Sequence, residues 1–547
     1  MRGAGVRVGL DLETTGLSHA RDRVRLISLA TPAGTFLVDL FAFPEPGAAL
    51  APVFAALAGT EIVGQNLGFD LPFLMRLGFV PGRVRDTMLA SQVLHAGNRA
   101  IGHSLKELAH RHLGITLDKE LQTADWSGAL TGSHREYAAR DAEVPLALWD
   151  KLTDELARSD LTNTADTEMG ALPAVAWAAT HGVGFDRTAW EAAADGAEAR
   201  VRDLRDRLDA LAPNAGNLFG VTNWNSVDEV TDAFARLGIT LSSTGDDALA
   251  ALDHPIAPVL RAYRAAAKLS GSYGREWLRH VAPDARVYAT WKQIGAGASG
   301  RMSCKEPNLQ QLPRDPRYRR CFAAPPGRVL VKADYSQIEL RIAARITGDR
   351  RMLDAYRAGE DLHTTTARAV LGKTDVTKDD RQLSKSLNFG LLYGMGARAL
   401  AAYAASNFGV ALTEAEAGRH RDTFFRTYPG LRAWHRGVPN GTIETRTRGG
   451  RRRVGVSAFT EKLNTPVQGT GADGLKRALA LLWERRSACP GAFPVLLVHD
   501  EIVVECGAPQ QSDVAAWVRG AMVDGMAPLI DPVPVEVEVK VGATWAG

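Results

Sequence analysis

The chain has 547 residues, 45% hydrophobic and 23% charged, with a formal net charge of +3 at pH 7. That length exceeds one ordinary core, so about two to four domains are expected, and no apolar run reaches the roughly 18 residues of a membrane helix. Cys304, Cys321, Cys489 and Cys506 lie far apart without a C-x-x-C pair, which argues against a disulfide framework or zinc site and fits a reducing compartment.

MRGAGVRVGLDLETTG (1–16) runs straight into a strand-like, acid-bearing segment and is not a signal peptide. VRVGLDLE (6–13) and RVRLISLATPAGTFLVDL (23–40) read as strands; SLKELAHRHL (104–113) and HREYAARDAEVPLALWDKLTDEL (134–156) read as helices. Together they predict an α/β domain. Asp11 and Glu13 alternate on one strand and so share a face. Asn66 and Asp70, and Tyr137 and Asp141, are four apart and share a face if their segments are helical. A lone D-x-E is more often a surface pair. Four carboxylates and a tyrosine converging in one α/β domain form a binuclear metal constellation, because hard divalent ions take oxygen ligands and clamp phosphoryl transfer.

From about 187 to 285 the pattern is mostly helical, as in TAWEAAADGAEARVRDLRDRLDALA (188–212). RVLVKADYS (328–336) is an apolar strand ending in an acid; helices are predicted over 337–437; VLLVHDEIVVEC (495–506) is a hairpin with acids at its tip. VPVEVEVKVG (533–542) alternates like a half-buried strand. Asp334 alone reads most simply as a helix cap. Paired with Asp500 in one sheet it makes a second metal site, whose ions relieve the repulsion between the acids. Arg381, Lys385, Phe389 and Tyr393 recur every four residues in DDRQLSKSLNFGLLYGMG (379–396). Two cations followed by two aromatics suit a nucleotide; the alternative is an ordinary amphipathic helix with snorkelling cations. His363 in DLHTTTA adds a phosphate contact to the nucleotide reading. RTRGGRRR (446–453), five arginines in eight positions, reads either as a solvated surface or as a nucleic-acid contact.

In this order DYSQIELR (334–341), R-x-x-x-K-x-x-NFG-x-x-YG (381–394) and VHDE (498–501) resemble the three signature motifs of family A DNA polymerases, the bacterial polymerase I type. The N-terminal acids resemble those of a DEDD-superfamily proofreading exonuclease of the tyrosine-containing branch. SGRMSCKEPNLQQLP (299–313), NTPVQGTGAD (464–473) and HPIAPVLRAYRAAAKLSGSY (254–273) resemble primer–template, minor-groove and thumb segments of the polymerases. The resemblance implies an α/β exonuclease domain over 1–160, ribonuclease H-like, with a mixed sheet and flanking helices. An α+β polymerase right hand follows over 161–547: palm about 161–187, 286–337 and 455–547, thumb about 188–285, fingers about 338–454.

It also implies roles. Asp334, Asp500 and the Tyr335 carbonyl would hold two Mg²⁺ ions, with Glu501 a supporting acid. Arg381, Lys385 and His363 would bind the triphosphate, Lys385 also protonating pyrophosphate. Gln337 and Ile338 would line the nucleotide site. Glu339 would exclude a 2′-hydroxyl, Phe389 pack on the nucleotide and disfavour dideoxynucleotides, and Tyr393 hold the templating position. Arg301 and Gln468 would read minor-groove acceptors; Asn308 and His499 would touch the primer; Asn225, Ser226 and Lys268 would grip the duplex. Asp11, Glu13, Asp70 and Asp141 would hold two divalent ions, and Tyr137 would orient the attacking water.

Three places depart from the pattern: Gln311 where Asn is usual, Gly471 where Ala is usual, and TRTRGGRRR (445–453) where relatives have a hydrophobic residue and a single Gly before the arginines. The expected protein is a monomeric, cytoplasmic, phage-like or bacterial enzyme acting on primer–template DNA and dNTPs. It has no 5′-nuclease domain ahead of its first strand and no room in the thumb for a large processivity insertion.

Overall fold

In this computed structural model β1 (Arg7–Thr14) is the central strand of a five-stranded sheet, completed by β2 (Val24–Thr31), β3 (Gly34–Asp39), β4 (Glu61–Gly64) and β5 (Arg83–Asp86). The structure describes residues 6–118, 120–212, 222–296 and 299–547. The sheet order is β3-β2-β1-β4-β5, with β1 antiparallel to β2 and parallel to β4, so the sheet is mixed. Val8, Leu10 and Leu12 point into the core; by alternation Gly9, Asp11 and Glu13 share the other face. The helix Gly132–Arg158 crosses so close to β1 that a Cβ at Gly9 would lie 2.1 Å from the Ala142 carbonyl oxygen. Only glycine permits that approach, and it brings Asp141 onto Asp11 and Glu13.

The chain forms two compact units, 1–182 with 288–311 and 326–542, and 183–287 with 312–325 and 543–547. In the first, a second sheet is built from β6 (Arg328–Tyr335), β7 (Phe493–Val498), β8 (Glu501–Gly507) and β9 (Val537–Gly542), ordered β7-β8-β6-β9. Sequence-distant strands therefore become neighbours, and every adjacent pair is antiparallel. The predicted last strand begins four residues later than its alternation suggests, because ladder pairing starts only at Val537 opposite Tyr335.

In the same unit a buried polar network joins four segments. Glu168, on the helix Thr162–His181 and fully buried, accepts from Lys476 Nζ (2.5 Å), Gln293 Nε2 (2.5 Å) and Arg451. Arg451 Nε also donates to Asp473 at 2.8 Å. Two acids and two bases, all paired, leave no net charge inside.

The arginine run proves to be neither a solvated face nor a free basic patch. It turns a hairpin, Ile443–Arg446 with Arg452–Val456, whose cations find partners within the protein. Arg451 is 1% exposed, Arg452 Nη2 donates to the Leu94 carbonyl (2.7 Å), and Arg453 meets Glu461 (2.9 Å). Arg446 reaches the Ser159 and Asp160 carbonyls at 3.4 Å, and Val454 N–H donates to the Ala96 carbonyl. The hairpin fastens the first sheet's surroundings to the second's.

The other unit is helical, with Arg187–Leu211, Val227–Arg236 and Ile256–Tyr273 packed around Trp224, Phe234 and Leu260. Phe185, Trp190, Trp277 and Phe322 form an aromatic cluster in this unit, with Trp190 stacked on Trp277 and Phe322 edge-on to Trp277. Of the segment expected to form a thumb, 213–221 lies outside the described residues.

Candidate active sites

On the first sheet, Asp11, Glu13 and Asp141 offer carboxylate oxygens all within 4.8 Å of one another. Asp70 joins them from the helix Leu67–Arg76, 4% exposed, its carboxyl held well above the usual range by burial, then by Asp11 and Asp86. Asn66 does not share its helical face: it is the left-handed residue (φ 60) ahead of the helix. The helix start is fixed instead by Asp86, which accepts from Leu67 N–H (2.6 Å) and, as cap of the next helix, from Leu89 N–H (3.0 Å). Tyr137 lies one turn before Asp141 and donates to its carboxylate; burial, then Asp141 and Glu13, push its phenol up. These acids are crowded hard oxygen donors, which fits divalent cations.

On the second sheet, Asp334 is the penultimate residue of β6, not a helix cap; the helix Ile338–Thr347 is preceded by Gln337 in the left-handed region (φ 53). Across the ladder Asp334 faces Glu501 on one side and Glu538 on the other. Asp500 immediately precedes Glu501, in the two-residue connection His499–Asp500, and its carbonyl accepts from Tyr335 N–H at 3.4 Å. His499 takes the left-handed conformation (φ 59) that such a turn normally reserves for Gly or Asn. Burial pushes the Asp500 carboxyl up to about 6, and the nearby Glu339 and Glu501 add to it. A carboxyl buried beside other acids, as Asp500 is, fits a divalent cation, which would relieve both desolvation and repulsion.

Four separate segments converge beside this centre. Glu339 accepts from Arg301 Nη2 (2.6 Å) through one oxygen and from the Tyr393 hydroxyl through the other, and Gln468 also hydrogen-bonds Tyr393. Tyr335 is anchored by its hydroxyl to the Met522 carbonyl (2.7 Å), and Ile338 is 4% exposed. Arg341 is a brace, donating to Ser336, Pro534 and Glu536.

The cation–aromatic stripe lies on the helix Lys378–Leu392, with Tyr393 as its C-cap. Arg381 forms a bidentate pair with Asp361 (2.7 and 3.1 Å), Lys385 is half-buried, and Phe389 packs on His363 with ring centroids 5.6 Å apart. His363 is 2% exposed, and burial pushes its pKa down to about 4. Its Nδ1 faces Asn388 Nδ2 at 2.9 Å. An amide NH₂ only donates, so Nδ1 accepts and the ring's proton is on Nε2. Asn388 is steadied by Thr366, and Thr366 by Tyr428. Asp361 and Asn388 are not apparent in the sequence, because each acts through a partner about 20 residues or more away.

Asn308 Oδ1 accepts from Gln310 N–H (3.1 Å), while Gln310 Nε2 reaches the Leu497 carbonyl on β7 (3.0 Å). In the helical unit Ser226 caps the helix Val227–Arg236, Asn225 Nδ2 contacts the Tyr263 hydroxyl (3.5 Å), and Lys268 is exposed.

Comparison with known proteins identifies this arrangement. Residues 195–547 match the model for DNA polymerase family A, and residues 2–157 match that for a 3′-5′ exonuclease. The chain belongs to DNA polymerase family A and carries a 3′-5′ exonuclease domain. DNA polymerase I of Aquifex aeolicus is 34% identical over an alignment covering 98% of this chain and 95% of that protein. DNA polymerase I of Pseudomonas aeruginosa is 33% identical over 88% of this chain, which spans 56% of that longer relative. For the thermostable DNA polymerase I of Thermus filiformis the values are 34%, 76% and 52%. A solved structure of the POL domain of Pol1 from M. smegmatis, in complex with DNA primer-template and dNTP, aligns with a TM-score of 0.83 and 26% identity, covering 99% of this chain and 96% of that one. Domains of both kinds depend on divalent metal. No helix among the described residues is long and apolar enough to cross a membrane.

Proposed function

We propose that this chain extends a primer 3′ end on a DNA template with dNTPs and removes mispaired ends with its own 3′-5′ exonuclease. The observation that supports this best is the meeting of Arg301, Glu339, Tyr393 and Gln468, from four segments, beside Asp334 and Asp500. The palm comprises about 161–187, 286–337 and 455–547, the thumb 188–285, the fingers 338–454, and the exonuclease domain 1–160.

Asp334, Asp500 and the Tyr335 carbonyl would hold two Mg²⁺ ions, and Asp11, Glu13, Asp70 and Asp141 two divalent ions; bound there, such ions would supply charge neutralisation and acidify the attacking oxygen. Arg381 and Lys385 bind the triphosphate as cations, and Lys385 gives a proton to departing pyrophosphate. His363 contributes as a neutral Nε2–H donor, because its ring is uncharged near pH 7. Glu339 stands beneath the sugar and rejects a 2′-hydroxyl by blocking. Phe389 packs on the nucleotide, Gln337 and Ile338 line its site, and Tyr393 holds the templating position. Arg301 and Gln468 test the minor groove, Asn308 and His499 touch the primer, and Asn225, Ser226 and Lys268 hold the duplex. In the exonuclease domain Tyr137 orients the attacking water.

A primer-extension and single-strand degradation assay on paired variants tests this. Asp334→Ala is expected to abolish incorporation and spare degradation; Asp11→Ala is expected to do the reverse. Extension at wild-type rate by Asp334→Ala overturns the assignment of that acid.

A further inference from the structure

We propose that Asp361 is a positioning residue of the nucleotide site. It grips the Arg381 guanidinium by one edge so that the opposite edge faces the triphosphate of an incoming nucleoside triphosphate. The inference rests on the assignment of Arg381 to the triphosphate.

Asp361 Oδ2 accepts from Arg381 Nε (2.7 Å) and Oδ1 accepts from Nη2 (3.1 Å). That is the fork geometry in which a carboxylate fixes the guanidinium plane. Nη1 makes no hydrogen bond or ion pair among the described residues, and the Arg381 side chain is 40% exposed. The unclaimed edge, Nη1 with the second hydrogen of Nη2, is therefore available to two phosphate oxygens. A carboxylate competing for the triphosphate's place would occupy that outer edge; Asp361 takes the inner one.

The same carboxylate organises two further groups. Oδ1 accepts from Gln337 Nε2 (2.6 Å), in the turn between β6 and the helix that carries Glu339. Oδ2 accepts from Thr364 N–H (3.1 Å) and its hydroxyl (2.6 Å), capping the helix Leu362–Leu371 two residues ahead of His363. Burial opposes its ionisation, but Arg381 and Thr364 outweigh burial and hold the carboxyl well below the usual range. Gln337, His363 and Arg381, three groups given to the nucleotide on separate grounds, are thus referenced to one acid.

The plainer possibility is that Asp361 is only a helix cap, and Asp361→Ser separates the two. Serine caps about as well as Asp but offers no fork to a guanidinium. On primer–template DNA with Mg²⁺, the experiment measures kcat and KM for dNTP in wild type, Arg381→Ala, Asp361→Ser, Asp361→Asn and the double variant Asp361→Ser/Arg381→Ala. Single-strand degradation and thermal melting serve as folding controls.

Arg381→Ala is expected to raise KM, and Asp361→Ser to raise it on the order of tenfold with kcat nearly unchanged, the scale of one charge-assisted contact. Asp361→Asn is expected to fall between, and Asp361→Ser to add nothing once Arg381 is gone. If Arg381→Ala leaves KM unchanged, the triphosphate assignment fails and takes the proposal with it. If Arg381→Ala raises KM but Asp361→Ser does not, the assignment stands and the positioning role is overturned. An Asp361→Ser effect that persists in full without Arg381 overturns it as well. Should Asp361→Ser fail the folding controls, Asp361→Asn, which also caps well, carries the same two comparisons.

Discussion

Glu339 is held at both oxygens: the Tyr393 hydroxyl donates to one and Arg301 Nη2 to the other at 2.6 Å. A carboxylate fixed on two sides cannot swing aside for a bulkier sugar, which is the property a steric filter needs. Glu339→Ala is expected to raise ribonucleotide incorporation. Tyr393→Phe, which removes one of the two tethers, is expected to relax the same selectivity by a smaller factor. The ratio of kcat/KM for dNTP over rNTP reads both, and an unchanged ratio in Glu339→Ala removes Glu339 from that role.

His363 yields a prediction with a definite sign. Its pKa is lowered from an ordinary 6.5 to about 4 by burial, so the fold favours the neutral ring. The contribution is fully present above pH 6.5 and is lost as pH falls through 4; at ~1.4 kcal/mol per pH unit it amounts to ~3 kcal/mol. Urea unfolding between pH 7 and 4 is expected to show a smaller decline in His363→Gln than in wild type. Glutamine also keeps an N–H donor, so this variant is expected to retain more dNTP affinity than His363→Ala. Equal losses in the two would show that the Nε2 proton is not used.

The buried network around Glu168 carries a larger penalty. Among the described residues, removing that one acid leaves Lys476 a single hydrogen bond, to the Gly300 carbonyl, and leaves the Asp473 carboxylate to answer both cations. Glu168→Ala is expected to destabilise the protein by about 3–5 kcal/mol, the usual cost of stranding a buried charge. Chemical denaturation checks it, and a loss below ~1 kcal/mol would mean that water or rearrangement rescues the cations.

Gly471 works in the opposite direction. It sits inside the helix Phe459–Glu484, and an added Cβ would touch only Ile342 Cδ1, at 3.7 Å. Gly471→Ala is therefore expected to stabilise by about 0.5–1 kcal/mol, from helix propensity and a less flexible unfolded chain. A shift of the thermal midpoint upward, with extension rate unchanged, is the outcome to look for.

Both sheets, the acid-tipped hairpin and the cation–aromatic helix were legible because each rests on a local signal: a period of two, a period of about four, or an acid ending an apolar run. What was hidden depends on contacts between distant segments. The arginine run looked like a surface because its partners, Glu168 and the Leu94 carbonyl, lie hundreds of residues earlier. Asn66 resembled a helix residue by spacing, yet its left-handed backbone puts it outside the helix. Asp86 and Asp361 each occupy a capping position, the commonest place for an aspartate, so nothing local separates them from other caps.

The close crossing at Gly9 makes the exonuclease centre sensitive at a position that bears no functional group. A single methyl there would meet the Ala142 backbone and push aside the helix on which Asp141 and Tyr137 ride. Loss of proofreading in this chain can therefore arise with every acid intact and the other sheet untouched. A copying-fidelity screen that inspects only the charged residues would pass over such a lesion.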